Sequence, residues 1–253
     1  MSESVALIAR LRRLAAGTGL MQAAAGSPDG WLRRGLGRGQ LHDIYTTETG
    51  DGASGAGFGI ATAIAARALP LFWLRVEAAE RVQGRLHAGG LAELGLGADS
   101  LVLGIVADEA ALLRAAADAA RCPGLGTLLI ESHGPAPGLD LTATRRLMLA
   151  AEGSGVTVLS LRIDATPTAS AAATRWGVAS APSAALAAEA PGPPAFDVEC
   201  LRRRGGPAGT RWRVEWDRYA KSFRSTPLSG ADLSLAADRA AARHAAAPVR
   251  RTG

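Results

Sequence analysis

The chain has 253 residues, 48% of them hydrophobic and 4% aromatic, and its 28 basic and 23 acidic residues give a formal net charge of +5. That length accommodates one domain with a core large enough to need no covalent staples. Lys221 is the only lysine, so Schiff-base or phosphate-binding lysine chemistry elsewhere is excluded, and Cys122 and Cys200 belong to no Cys/His cluster of zinc-ligand spacing.

In chain order, Leu7, Leu11 and Leu14 recur at helical spacing with Arg10 and Arg13 on another side, which predicts an amphipathic N-terminal helix. A Gly/Ser/Pro-containing linker is expected from Gly17 to Gly30. The core is expected over residues 31–225. Leu41–Tyr45 reads as a short alternating strand running into a Gly-rich loop, Gly50–Gly57, followed by an Ala-rich helix, Phe58–Arg67. Leu71–Val76 and Leu101–Val106 read as apolar strands. A helix is predicted over Asp108–Arg121, its acidic start suited to the positive end of the dipole. Leu125–Ile130 reads as a buried strand ending at Glu131, Leu141–Glu152 as a helix stopped by Gly153 and Gly155, and Val156–Leu161 as the next strand. This alternation argues for an α/β fold with a mostly parallel sheet and helices on both faces.

Beyond Ile163 the rhythm changes. Arg175–Ser180 is a candidate strand and Ala184–Pro194 an Ala/Pro-rich connection. Phe196–Leu201 and Arg211–Trp216 flank a polar turn, Arg203–Thr210, and predict a C-terminal β-hairpin. Residues 226–253 read as a flexible basic tail. No run approaches the roughly 18 apolar residues of a membrane span, and the first residues show no charged-then-apolar signal pattern. The expectation is a soluble, reduced, cytoplasmic protein with no membrane partner. Charge is uneven: residues 1–40 carry +4, residues 41–195 carry −5, residues 196–225 carry +4 and residues 226–253 carry +2. Basic flanks suit nucleic acid or an acidic partner, and equally a solvated Arg-rich surface.

The strand–Gly-loop–helix unit is the most informative feature. A phosphate loop reads G-x-x-x-x-G-K-[ST], with backbone N–H groups around the phosphates, a lysine on the β- and γ-phosphates and a hydroxyl on magnesium. Gly50 and Gly55 have that separation, but Ala56 and Gly57 stand where the lysine and hydroxyl belong. Charge developing during phosphoryl transfer would go uncompensated, so this loop is degenerate and no cofactor is expected. Anion binding at the helix N-terminus stays physically open, beside a plain Gly-rich loop with no ligand. Glu131 stands where a strand-end acid would hold magnesium through water, though strands often end on an acid. Gly52-Ala-Ser54-Gly-Ala56 misses the nucleophile-elbow pattern, and the four histidines are scattered, so no catalytic residue is assigned. Arg145 and Arg146, opening a helix, and Arg202, Arg203, Arg204, Arg211 and Arg213, around the hairpin with Trp212 and Trp216, are candidate DNA or partner contacts. The alternative is that the arginines are solvated and the evenly spaced tryptophans share one packed strand face.

Several stretches together carry a resemblance. They are Leu41–Tyr45 before the degenerate loop, Arg121-Cys-Pro-Gly-Leu125 before Glu131, Leu139–Leu147 leading into Ala150–Val156, Ala171–Ser183, and Phe196–Asp217 with Leu201–Gly206 and Trp212–Trp216. In order and spacing, residues 31–225 resemble the ImuA family, the RecA-like component of a bacterial damage-inducible mutagenesis cassette. The resemblance implies a RecA-like three-layer α/β core and a non-catalytic adaptor role in SOS-induced error-prone translesion synthesis. The partners it implies are an ImuB-like protein, an error-prone polymerase subunit and RecA itself. The alternatives are a weak nucleotide-dependent ATPase with a divergent loop and a single-stranded DNA-binding module.

Overall fold

The computed structural model describes residues 29–46, 49–183 and 186–226. The predicted N-terminal helix, most of the linker and the basic tail lie outside them; Gly30, placed at the end of the linker, instead opens a short helix, α1 (Gly30–Arg34).

The apolar runs become strands because they can be covered on both faces. β1 (Leu41–Thr46) is buried at every position, unlike the half-exposed strand its alternation predicts. After it come α2 (Gly52–Ala65), β2 (Leu71–Val76), α3 (Glu77–Gln83), α4 (Ala88–Glu93), β3 (Leu101–Val106), α5 (Glu109–Ala119), β4 (Thr127–His133), α6 (Leu141–Ser154), β5 (Thr157–Ile163), β6 (Thr174–Ser180), β7 (Ala195–Arg203), β8 (Arg211–Asp217) and β9 (Ser222–Thr226). The helices α1, α3 and α4 and the strand β9 were not anticipated.

One nine-stranded sheet runs β3-β2-β4-β5-β1-β6-β7-β8-β9. Strands β1 to β6 pair in parallel, and β7, β8 and β9 add antiparallel ladders at one side. Alternate side chains feed two cores. Ile44, Leu71, Trp73, Leu129, Leu159 and Leu161 join α2 in one. Leu41, Leu74, Leu128, Ile130 and Val158 meet α5 and α6 in the other. The result is the three-layer α/β architecture, with a mostly parallel sheet and C-terminal antiparallel hairpins.

Local chemistry sets the helix ends. Asp108 and Asp140 each accept from the third N–H of the helix they cap, both at 2.7 Å. Gly155 ends α6 with φ +81°, where its N–H bonds Ala151 O at 2.9 Å. The scarce aromatics are concentrated under the antiparallel strands. Trp31, Phe58, Trp176, Trp212 and Phe223 pack within 5.1 to 6.0 Å of neighbouring ring centroids. This box holds α1 against β8 and β9, and Trp212 Nε1 donates to Asp29 at 2.6 Å. Among the described residues, no helix is long and apolar enough to cross a membrane.

Candidate functional site

In an open α/β sheet, ligands are bound beyond the carboxyl ends of the parallel strands. The start of α2 and a cleft of about 560 Å³ lie there, with Glu131 near the end of β4. The cleft is lined by Val76, Asp108, Leu112, Ser132, His133 and Ala136 among others.

The predicted Gly50–Gly57 loop is not a loop. Gly50 belongs to a 3-10 turn, Thr49–Asp51, and α2 is wound from Gly52, so Gly55, Ala56 and Gly57 are helical. Four glycines weaken a helix in isolation, but α2 is covered almost all round and tertiary packing overrides that propensity. The glycines permit close approach to the sheet. A Cβ on Gly55 would lie 2.7 Å from Thr46 Cγ2 and 2.8 Å from Leu161 Cδ1, and one on Gly52 2.7 Å from Gln83 Oε1. Ala56, at the lysine position, is 8% exposed and belongs to the apolar core. Asp51, 9% exposed, places a carboxylate at the start of α2 and accepts from Ser180 N–H at 2.8 Å. A negative charge already complements the helix dipole where a phosphate would have to approach. Gly55→Ala is expected to destabilise the fold by about 1–3 kcal/mol through overpacking; an unchanged urea midpoint would contradict this reading of the glycine.

Glu131 stands inside β4 rather than past its end, because the strand continues through Ser132 and His133. Its carboxylate takes both forks of Arg75, Nε to Oε2 at 3.0 Å and Nη2 to Oε1 at 3.1 Å. Trp73 Nε1 donates to the same Oε2 at 2.9 Å, and His133 Nε2 is 3.2 Å from Oε1. Burial alone would raise the carboxyl pKa; the His133 and Arg75 hydrogen bonds and the Arg75 charge outweigh it and hold it below its ordinary value. Arg75 also donates to Gly84 O at 3.2 Å, tying the end of α3 to this pair. With its lone pairs engaged, Glu131 is a structural anion here, not an acid facing an open metal position. Among the described residues, no group of three or more His, Cys, Asp or Glu side chains could hold a metal ion.

Sequence reasoning passed over a second buried polar row, on the opposite face of the sheet. Asp43 accepts from Ser170 Oγ at 2.7 Å and from Arg175 at 3.4 Å, yet burial pushes its carboxyl above the usual range. Tyr45 lies between the guanidinium groups of Arg162 and Arg175, at 5.8 and 5.3 Å. Tyr45 and Arg162 are paired across β1 and β5, and their only sequence signal was a polar residue interrupting an apolar strand.

The hairpin arginines divide. Arg211 pairs with Glu199 at 3.1 Å, and Arg213 makes a two-pronged pair with Asp197, both arms 2.8 Å. Arg202 donates to the carbonyls of Ser170 and Ala172. These three tie β8 to β7 and β7 to the segment before β6, so their guanidinium groups are already engaged. The side chains of Arg145, Arg146 and Arg203 form no hydrogen bond or ion pair among the described residues. Arg204 bonds Ala171 O at 2.8 Å. Trp212 and Trp216 are 8% and 1% exposed, so the stacking platform that the hairpin composition suggests is instead packed into the core. Cys122 and Cys200 are both free thiols.

Comparison with known proteins gives no matching family model and no matching curated relative.

Proposed function

We propose that the chain is a non-catalytic adaptor that works in damage-induced, error-prone DNA synthesis by binding other proteins. The observation that carries the non-catalytic part is the burial of Ala56 in the core of a helix that begins with a carboxylate. A phosphate-binding lysine at that position would have to bury its ammonium. Asp51 adds a negative charge at the start of that helix, which disfavours a triphosphate there. The resemblance of residues 31–225 to the ImuA family supports the partners: an ImuB-like polymerase relative, an error-prone polymerase subunit and RecA. The α/β core with antiparallel strands beyond β6 suits that reading.

The test has two arms. Purified chain with magnesium and millimolar ATP is expected to show neither saturable binding nor turnover in calorimetry. Affinity capture from DNA-damaged cells is expected to recover the ImuB-like protein together with the polymerase subunit. Micromolar ATP affinity with hydrolysis, or capture of neither protein, would sink the adaptor reading.

A further inference from the structure

Two basic features far apart in the sequence meet on one surface. Helix α6 buries Thr144, Leu147 and Ala151. The helical period therefore turns Leu141, Arg145 and Leu149 outward in one row, with Arg146 beside it. Leu141 and Leu149 are 52% and 54% exposed and stand in one row with a cation between them. Arg145 and Arg146 are exposed and have no acidic partner among the described residues. The turn between β7 and β8 brings Arg204 alongside, its Nη2 3.4 Å from Met148 Sδ. Arg203, the last residue of β7, also has no ion pair among the described residues. Neither Asp140, which accepts from Ala143 N–H at the helix start, nor the exposed Glu152 forms an ion pair with this set among the described residues.

We propose that this face, α6 with the β7–β8 turn, docks an acidic amphipathic segment of a partner protein. The inference rests on the adaptor reading and names the chemistry of one partner. Charge complementarity selects the occupant: carboxylates meet Arg145, Arg146 and Arg204, while apolar side chains cover Leu141 and Leu149. The two leucines are eight residues apart on α6, about 12 Å at the helical rise, which two turns of a helical partner match. Nucleic acid fits less well, because phosphates would engage the arginines and leave both leucines wet.

The probe is a fluorescein-labelled synthetic helix with leucines at four-residue spacing and glutamates between, titrated into the full chain and followed by anisotropy. Binding is expected to weaken at least about tenfold in Arg145→Glu/Arg146→Glu, several-fold in Leu149→Ser, and progressively with added salt. All three side chains are exposed, so circular dichroism is expected to stay at the wild-type spectrum; Arg145→Gln/Arg146→Gln supplies a milder variant with an intermediate loss. No binding overturns the proposal. So does equal binding of a peptide with the same charges and shuffled leucines, or oligothymidylate binding that depends on the same arginines and displaces the peptide. The adaptor reading fails separately. If wild-type chain captures its polymerase-related partners and Arg145→Glu/Arg146→Glu captures them equally, only the docking surface is wrong. If wild-type chain captures none, the adaptor reading falls while the peptide titration still decides the surface.

Discussion

Arg75→Met is expected to lower the unfolding free energy by about 3–5 kcal/mol, because it strands the Glu131 carboxylate inside the protein. Both members of the pair are 2% exposed, and the guanidinium occupies both carboxylate oxygens. His133 and Trp73 would remain as partners, neither able to replace a bidentate cation. The double variant Arg75→Met/Glu131→Leu is expected to recover most of the loss, since an apolar pair of similar volume removes the desolvation cost along with the attraction. Urea unfolding of both variants checks this; a loss under about 1 kcal/mol in Arg75→Met would show the pair to be solvated. The pair also has a pH signature. The folded pKa of Glu131 lies below the ordinary 4.5, so its stabilisation is present above that value and is lost as pH falls through the folded pKa.

The second large effect comes from His42 and occupies a higher pH window. Burial of the ring outweighs its hydrogen bond to Gly37 and lowers the pKa from 6.5 to about 4. The partners accommodate the neutral form that burial favours. Nε2 donates to Gly37 O at 2.8 Å, and Nδ1 accepts from Thr174 Oγ1 at 2.8 Å, whose oxygen in turn accepts from Trp176 Nε1 at 2.6 Å. A proton on Nδ1 would turn the Thr174 hydroxyl from donor to acceptor and leave its own hydrogen without this partner. Because the unfolded histidine binds its proton more readily, this contribution is complete above pH 6.5 and is lost as pH falls towards 4. Unfolding free energies are expected to drop by about 3 kcal/mol across that interval, and His42→Gln to flatten the profile there. A profile that keeps its full slope in His42→Gln would assign the titration to another group.

The outer limits of much of the fold were legible. β2 and β3 follow the apolar runs Leu71–Val76 and Leu101–Val106, since short apolar runs rich in Leu, Val and aromatic residues have few alternatives to a covered strand. β1 was harder to read, because whether His42 and Asp43 face water or protein depends on partners more than 100 residues away. Gly50–Gly57 was misread for a related reason: glycine signals a loop locally, whereas here it is the absence of side chains that lets α2 lie on β1 and β5. Helices α1, α3 and α4 are too short to show a period. At the site, Glu131 was visible as an acid after an apolar run, but Arg75, which decides its role, lies 56 residues earlier. Arg145 and Arg204 likewise looked like separate basic patches until the packing of α6 beside the β7–β8 turn joined them.

The aromatic box described above makes the chain's intrinsic emission a divided reporter. Trp31, Trp176, Trp212 and Trp216 lie in the core beneath the antiparallel strands, while Trp73 bonds the Glu131 carboxylate in the parallel half of the sheet. Emission from Trp31, Trp176 and Trp212 therefore follows the docking of α1 on β8 and β9. One indole watches the buried ion pair, and a Trp73→Phe difference spectrum separates the two halves of the molecule during unfolding.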